Sequence, residues 1–487
     1  MRLIMQHSEA TQSVMRIFHE ISKVPRRSKE EEKIAQFLYD WAKERGFEVV
    51  KDSANNIIIK VDASPGYEDA PIIVLQSHMD MVCEKTPEST HDFTKDPIEI
   101  IEKDGWIYAN GTTLGADDGL GVALSLAVAI DEKAPHPALE LLITSDEETG
   151  MTGALALSSS AIKGRILLNL DSEDEGVFTI GCAGGRGTKA TLMLYSSAVP
   201  KAWKRYKIDV TGLTGGHSGV DIHLGRANAM KLAARLLRAI SVEYPEILLQ
   251  DFSAGSAHNA IPRDAHISLV GPESAASGIQ KIVTAQKNIY RAEFEKTDPD
   301  INIIVNSEDN DADAYDRSSS ERVIDLLLAY PHGVSNMSSA SPELVETSVN
   351  LARAAIEDGK LKLISSQRSS VTSRLDALTA QAEACIRLSG GVAVSDKGYP
   401  SWQPNWDSEL LKRSIAAYEA RFGKEPKIEV IHAGLECGYL GAKFRDMDMI
   451  SFGPTILSPH SPTERAELAT IGMVYDFLCD LLASYKP

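Results

Sequence analysis

Pro71-Ile-Ile-Val-Leu-Gln-Ser-His-Met-Asp80 decides how the chain is read: four consecutive branched or apolar residues, Ile72 to Leu75, run into a histidine and a carboxylate. An apolar run this short, with a proline ahead of it, has the pattern of a strand buried on both faces in a sheet covered by helices. Function in such sheets gathers at the strand ends. Side chains alternate along a strand, so His78 and Asp80 project to the same side and Met79 turns away. An imidazole and a carboxylate leaving a strand end together are half of a metal site.

Working outward, Val14, Ile17, Phe18 and Ile21 recur at helical spacing, which predicts an amphipathic helix over about residues 8–24. Ser28 with Glu31 reads as a capping box opening a second helix that stops at Gly46. Strands are expected at 47–51, 56–61, 139–144 and 166–170, with a helix over 122–130 between them. That alternation predicts an α/β sheet with helices on both sides. Glycines at Gly181-Cys-Ala-Gly-Gly185 punctuate the chain, and a different texture of alternating strands opens at Lys189. Helices near 226–240, 279–294 and 377–388 and strands near 266–270, 301–305 and 360–365 follow, and 307–313 reads as a solvated acidic loop. The closing segment, with helices at 408–422 and 468–485 and strands at 427–431 and 449–452, reads as the end of the first sheet domain. The expected organisation is a catalytic domain in two parts, 1–186 and 397–487, around an inserted domain at 187–396 that is built of two similar halves.

The net charge of -19 argues against nucleic acid, whose phosphates need clustered Lys and Arg, and suits a protein that holds cations. No stretch approaches the roughly 18 apolar residues of a membrane span, and Met1 to His7 lacks a secretory apolar region, so a cytoplasmic location is expected. Five scattered cysteines, an odd number, fit neither a disulfide framework nor a zinc finger and read as reduced.

Four more stretches carry chemistry. Asp117 and Asp118 sit in the glycine-flanked turn Gly111-Thr-Thr-Leu-Gly-Ala-Asp-Asp-Gly-Leu-Gly121, where helix capping is the simpler reading taken alone. Asp146, Glu147 and Glu148 follow directly on Ile143-Thr-Ser, a clustering that is costly at a buried strand end unless a cation compensates it. Asp171 follows the strand ending at Leu170, and His460 lies in Leu457-Ser-Pro-His-Ser-Pro-Thr-Glu464. Each has a structural explanation by itself. Together, two histidines and at least three carboxylates on strand ends make the N/O ligand set that zinc accepts, and a bridging carboxylate permits two metals about 3.5–4 Å apart.

Ser77-His-Met-Asp80, Gly115-Ala-Asp-Asp-Gly119, Asp146-Glu-Glu-Thr-Gly150, Asp171 and Pro459-His460, in this order, resemble the co-catalytic zinc exopeptidases that include aminoacylase, carnosinase and peptidase T. Leu75 to Lys85, His332-Gly-Val-Ser-Asn-Met337 and Leu344-Val-Glu-Thr-Ser348 are similar to the aminoacyl-histidine dipeptidase (peptidase D) subgroup, and the resemblance covers nearly the whole chain. It implies a mixed, largely parallel sheet between helices with an inserted α+β lid. It also implies that His78, Asp117, Glu148, Asp171 and His460 ligate two zinc ions, with Asp117 bridging and cobalt or manganese as substitutes. Glu147 is then the general base and Asp80 the orienting partner of His78. The family pattern further places a cis peptide at Asp117-Asp118. In the lid, His217 in Gly215-Gly-His-Ser-Gly219 matches an oxyanion-stabilising histidine. Asn259 and Arg368 match positions that bind the substrate backbone or its terminal carboxylate. His223 and His258 read as structural.

The implied activity is metal-dependent hydrolysis of Xaa-His dipeptides by a dinuclear zinc-activated water. The alternatives are an aminoacylase, a tripeptidase, a broader dipeptidase, or a non-catalytic metal-binding relative. Homodimerisation through the lid is a further family-level expectation, and His217 then serves either its own site or that of a partner.

Overall fold

The computed structural model describes residues 7–487, which divide into two compact units. Unit 1 comprises residues up to Cys182 with Trp402–Val430 and Leu435–Pro487, and unit 2 comprises Ala183–Ser401 with Ile431–Gly434.

Unit 1 is laid down in chain order as α1 (Glu9–Ile21), α2 (Glu32–Glu44), β1 (Glu48–Lys51), β2 (Ile57–Val61), β3 (Ile73–His78), α3 (Ala116–Ile130), β4 (Leu139–Thr144), β5 (Ile166–Asn169) and β6 (Val177–Cys182). After the long span of unit 2, Ala183–Ser401, come α4 (Glu409–Phe422), β7 (Lys427–Ile431), whose last residue is counted with unit 2, α5 (Glu436–Lys443), β8 (Asp448–Ser451) and α6 (Leu468–Ala483). The strands form one eight-stranded sheet in the order β1-β2-β4-β3-β5-β8-β6-β7. Its centre is parallel, β3 with β4 and β5, and β5 with β8, while β1-β2, β2-β4 and β8-β6 pair antiparallel. All six residues of β3 and of β4 are buried, as a centre covered on both faces requires. The core joins these strands to α3, nearly every residue of which is buried, and to the apolar stripes of α1 and α6. A separate four-stranded sheet, built from 100–103, 106–109, 456–457 and 465–467, presents the loop 458–464.

Unit 2 is organised on a nine-stranded antiparallel sheet that includes 184–193, 204–211, 248–254, 265–271, 345–357 and 360–369, and its core takes in helices 229–243, 276–293, 317–329 and 372–388.

The helix expected over 122–130 begins six residues earlier, at Ala116, and Asp117 and Asp118 interrupt its first turn with non-helical angles. The supposed acidic loop is strand as far as Asp309. The capping box does not form. Glu31, at the N-cap of α2, makes no side-chain cap, because its carboxylate accepts the N–H groups of Lys29 and Asp146, while Ser28 donates to Asp80. Both side chains are claimed by the strand-end cluster described next.

Candidate metal centre and active site

Five elements of unit 1 converge where β3, β4 and β5 end. His78 closes β3, Glu147 and Glu148 follow β4, Asp171 follows β5, Asp117 opens α3, and His460 sits in the 458–464 loop with φ +58°. His78 Nε2 lies 3.0 Å from Asp117 Oδ1 and 3.4 Å from Asp171 Oδ1. His460 Nε2 lies 3.2 Å from Asp117 Oδ2 and 2.9 Å from Glu148 Oε2. The two oxygens of Asp117 therefore face two different imidazoles. The peptide between Asp117 and Asp118 is cis.

Asp80 does not face that cluster. Its carboxylate accepts the N–H of Glu147 at 3.0 Å, the N–H of Glu148 at 3.3 Å and the hydroxyl of Ser28 at 2.8 Å. Its Oδ1 is 3.4 Å from His78 Nδ1, which also lies 3.2 Å from the Asp80 carbonyl. Two acceptors at Nδ1 place an N–H there and turn Nε2 toward Asp117 and Asp171. These contacts hold the Asp80 carboxyl below its usual range despite its burial. Asp118 is also spent within the protein, accepting the backbone N–H of His78 at 3.0 Å and of Gly121 at 3.1 Å.

Electrostatics test whether cations fit. Burial raises Glu147 well above the usual glutamate range, with Asp171, Glu436 and Glu148 adding to the shift. Burial likewise lifts Asp171 to about 6, aided by Asp117 and Glu148 against His78. Hydrogen bonds to Asp117 and Glu148 push His460 up to about 11. Glu148 Oε1 is buried with no hydrogen-bond partner. Crowded acids and an orphaned carboxylate oxygen beside two imidazole nitrogens are the donor set of a divalent-cation site. His78, Asp117 and Glu148 form one group whose ligand atoms lie within 4.8 Å of each other, and a second group joins His78 to Asp118 and Asp171.

Three side chains that sequence reasoning passed over brace this cluster. Glu464 accepts the backbone N–H groups of Leu114, Gly115 and Ala116 at 2.7, 2.9 and 2.7 Å, with that of Asp117 at 3.4 Å, so the loop carrying His460 grips the one carrying Asp117. The buried Arg26 guanidinium donates to the carbonyls of Met79, Asp80 and Gly115. Gly115 has φ +65°, and a Cβ there would collide with that guanidinium. Glu436, fully buried, reaches Gln76 and Thr144. Glu464 stood inside a motif already singled out, and its distance of four residues from His460 was the available signal.

The lid residues all lie in unit 2. His217 Nδ1 accepts the N–H groups of Gly219 and Val220 at 3.2 and 3.3 Å, which leaves Nε2–H as the outward donor. Burial, with Arg368 and His258 adding, lowers its pKa, so the ring is neutral at pH 7. His217 and Asn259 line one cavity of about 750 Å³. Arg368 lines another of about 730 Å³ with His258 and Tyr399, and donates to the Tyr399 hydroxyl at 2.9 Å. All five cysteines are free. Among the described residues no helix is long and apolar enough to cross a membrane.

A model of the peptidase family M20/M25/M40 matches residues 74–484. The chain is 38% identical over 466 residues to the cytosol non-specific dipeptidase of Escherichia coli strain K12, covering 96% of each. It superposes on the crystal structure of aminoacylhistidine dipeptidase from Vibrio alginolyticus with a TM-score of 0.92 and 38% identity, covering 98% of both chains. With the aminopeptidase PepT of Bacillus cereus ATCC 10987 it shares the fold alone, at a TM-score of 0.57 and 16% identity over 98% of this chain and 99% of that one.

Proposed function

Because the chain belongs to the peptidase family M20/M25/M40, we propose that it is a metal-dependent dipeptidase that hydrolyses short peptides, with Xaa-His dipeptides among its substrates. The observation that carries this reading is the placement of His78 and His460 on opposite oxygens of Asp117. His78, Asp117 and Asp171 would hold one divalent cation and Asp117, Glu148 and His460 the other, with zinc as the ion and cobalt or manganese as substitutes. When bound, such a pair polarises a carbonyl and acidifies water.

The residues of the chain then divide the remaining work. Glu147 accepts the proton of the attacking water at its carboxylate and returns it to the leaving amine, a role supported by its place directly beside Glu148 in the turn after β4. Asp80 keeps the His78 ring oriented through Nδ1. In unit 2, read as the inserted lid domain, the Nε2–H of His217 donates to the oxygen that gains charge in the transition state. Arg368 takes the terminal carboxylate in its fork and Asn259 orients the peptide backbone. The identity with two dipeptidases, one non-specific and one named for aminoacylhistidine, supports dipeptides over N-acyl amino acids.

A cytoplasmic, homodimeric enzyme completes the reading, the dimer forming through the lid. The outermost strand of the unit 2 sheet, Val392–Ser395, supports that mode, because Val392 and Val394 are 68% and 69% exposed on an edge open to pairing. The test is metal analysis of the purified chain combined with a panel of histidine-terminated dipeptides, tripeptides and N-acyl amino acids. Dipeptide hydrolysis that disappears on exhaustive chelation and returns with zinc is expected. Undiminished turnover by the metal-free protein would sink the reading.

A further inference from the structure

A polar row crosses the centre of the unit 1 sheet, where apolar side chains are the rule. Gln76 on β3, Asn169 on β5 and Ser451 on β8 are register partners across three parallel strands, each 0% exposed. Ser451 donates to Asn169 Oδ1, Asn169 Nδ2 to Gln76 Oε1, and Gln76 Nε2 to Glu436 Oε2 at 2.7 Å. Ser172 Oγ joins the far end, 2.8 Å from Ser451 Oγ, and Thr144 on β4 donates to the same Glu436 oxygen at 2.5 Å. An amide side chain offers an acceptor on one side and a donor on the other, so the row has a single direction and ends on Glu436. Its members lie one step below the strand-end cluster. Gln76 precedes His78 by two residues on the same strand face, and Asn169 precedes Asp171 by two. Glu436 opens α5, is 0% exposed, and leaves its Oε1 without a partner.

We propose that this row is a positioning layer for His78 and Asp171, and that Glu436 closes it as a neutral hydrogen-bonding group and not as a charge. Both donors, Gln76 and Thr144, are uncharged and reach Oε2, and among the described residues no cation or donor reaches Oε1. Burial pushes the Glu436 carboxyl up to about 8, against the Thr144 hydrogen bond and His78, with Asp171 and Asp80 reinforcing the shift. A carboxylate here would add one more negative charge behind a cluster already crowded with acids. The neutral acid supplies the same acceptor without it. Because the row joins side chains from β3, β5, β8 and α5, losing its end group lets the strand ends above it shift.

The inference rests on the metal-centre reading, and one experiment separates the two. The full chain and its variants are stripped with chelator, dialysed against buffered zinc and analysed for bound metal, while calorimetry on the stripped proteins follows folding. Glu436→Gln, which keeps the acceptor and stays neutral, is expected to bind zinc as the parent does. Glu436→Leu is expected to bind it about 10–100-fold more weakly while the stripped protein still melts cooperatively. Parent-like zinc affinity in Glu436→Leu overturns the positioning role, and equal losses in the Gln and Leu variants overturn the neutral one. Should Glu436→Leu not fold, Ser451→Ala decides the first point: weakened binding supports the row, and unchanged binding overturns it. A parent protein that takes up no zinc removes the metal-centre reading itself.

Discussion

The backbone N–H groups of Glu147 and Glu148 are both tied to Asp80, so the two side chains leave that turn from fixed points. Glu147→Gln keeps the turn and removes only the proton acceptor. A loss of about 10²–10⁴ in kcat with unchanged metal content is expected, measured by steady-state hydrolysis of a dipeptide beside elemental analysis. Glu464 is a different case, because its carboxylate holds the backbone N–H groups of Leu114 to Asp117 and is 1% exposed. Glu464→Ala leaves those buried donors without an acceptor and is expected to cost about 3–5 kcal/mol in urea unfolding of the chelated protein. The ordered motifs made the convergence of His78, Asp117, Glu147, Glu148, Asp171 and His460 legible, because all but His460, which lies between two prolines, stand beside a strand or a glycine turn that the sequence marks. Arg26, Glu464 and Glu436 were not legible as braces. Their partners are backbone groups, or side chains remote in sequence, and apart from the nearness of Glu464 to His460 no local spacing reports such contacts.

Among elements, the helix over Ala229–Glu243 shows how a cap joins local to long-range structure. Asn228 accepts the N–H of Met230 at 2.9 Å and donates to the Leu351 carbonyl at 2.9 Å, and its amide also lies 3.3 Å from His332 Nδ1. Asn228→Ala should therefore cost about 1–3 kcal/mol, more than a surface cap, in denaturant titration. His332 accepts there as a neutral ring, and burial, with Lys231 adding, lowers its pKa to about 4. The unfolded chain, with a histidine near 6.5, binds the extra proton first. Stability is thus expected to fall as pH drops from about 6.5 to about 4, by at most about 1.4 kcal/mol per pH unit from this ring. His332→Gln should flatten that slope in unfolding curves taken across the window. Periodicity located most helices and strands to within a few residues. It misread Ser28 and Glu31 as a helix cap because the same side chains serve Asp80 and the Asp146 turn.

For the whole molecule, all the residues proposed as metal ligands belong to unit 1, which ties metal binding to the stability of that unit. Zinc at about 100 times its dissociation constant is expected to stabilise the fold by about 2.7 kcal/mol. Hydrogen exchange should then slow at residues 76–80, 114–118, 145–149 and 458–464, and a uniform change with no preference for these segments would contradict the assignment. The strand order carries a consequence for biosynthesis. β8, made near the end of the chain, lies between β5 and β6, both complete by Cys182. Until the ribosome has delivered residues 448–451, each of those two earlier strands keeps an unpaired border in a chain already long enough to collapse. A product ended at residue 447 should accumulate as aggregate, and the nascent enzyme depends on its own tail, or on a chaperone, to close that gap.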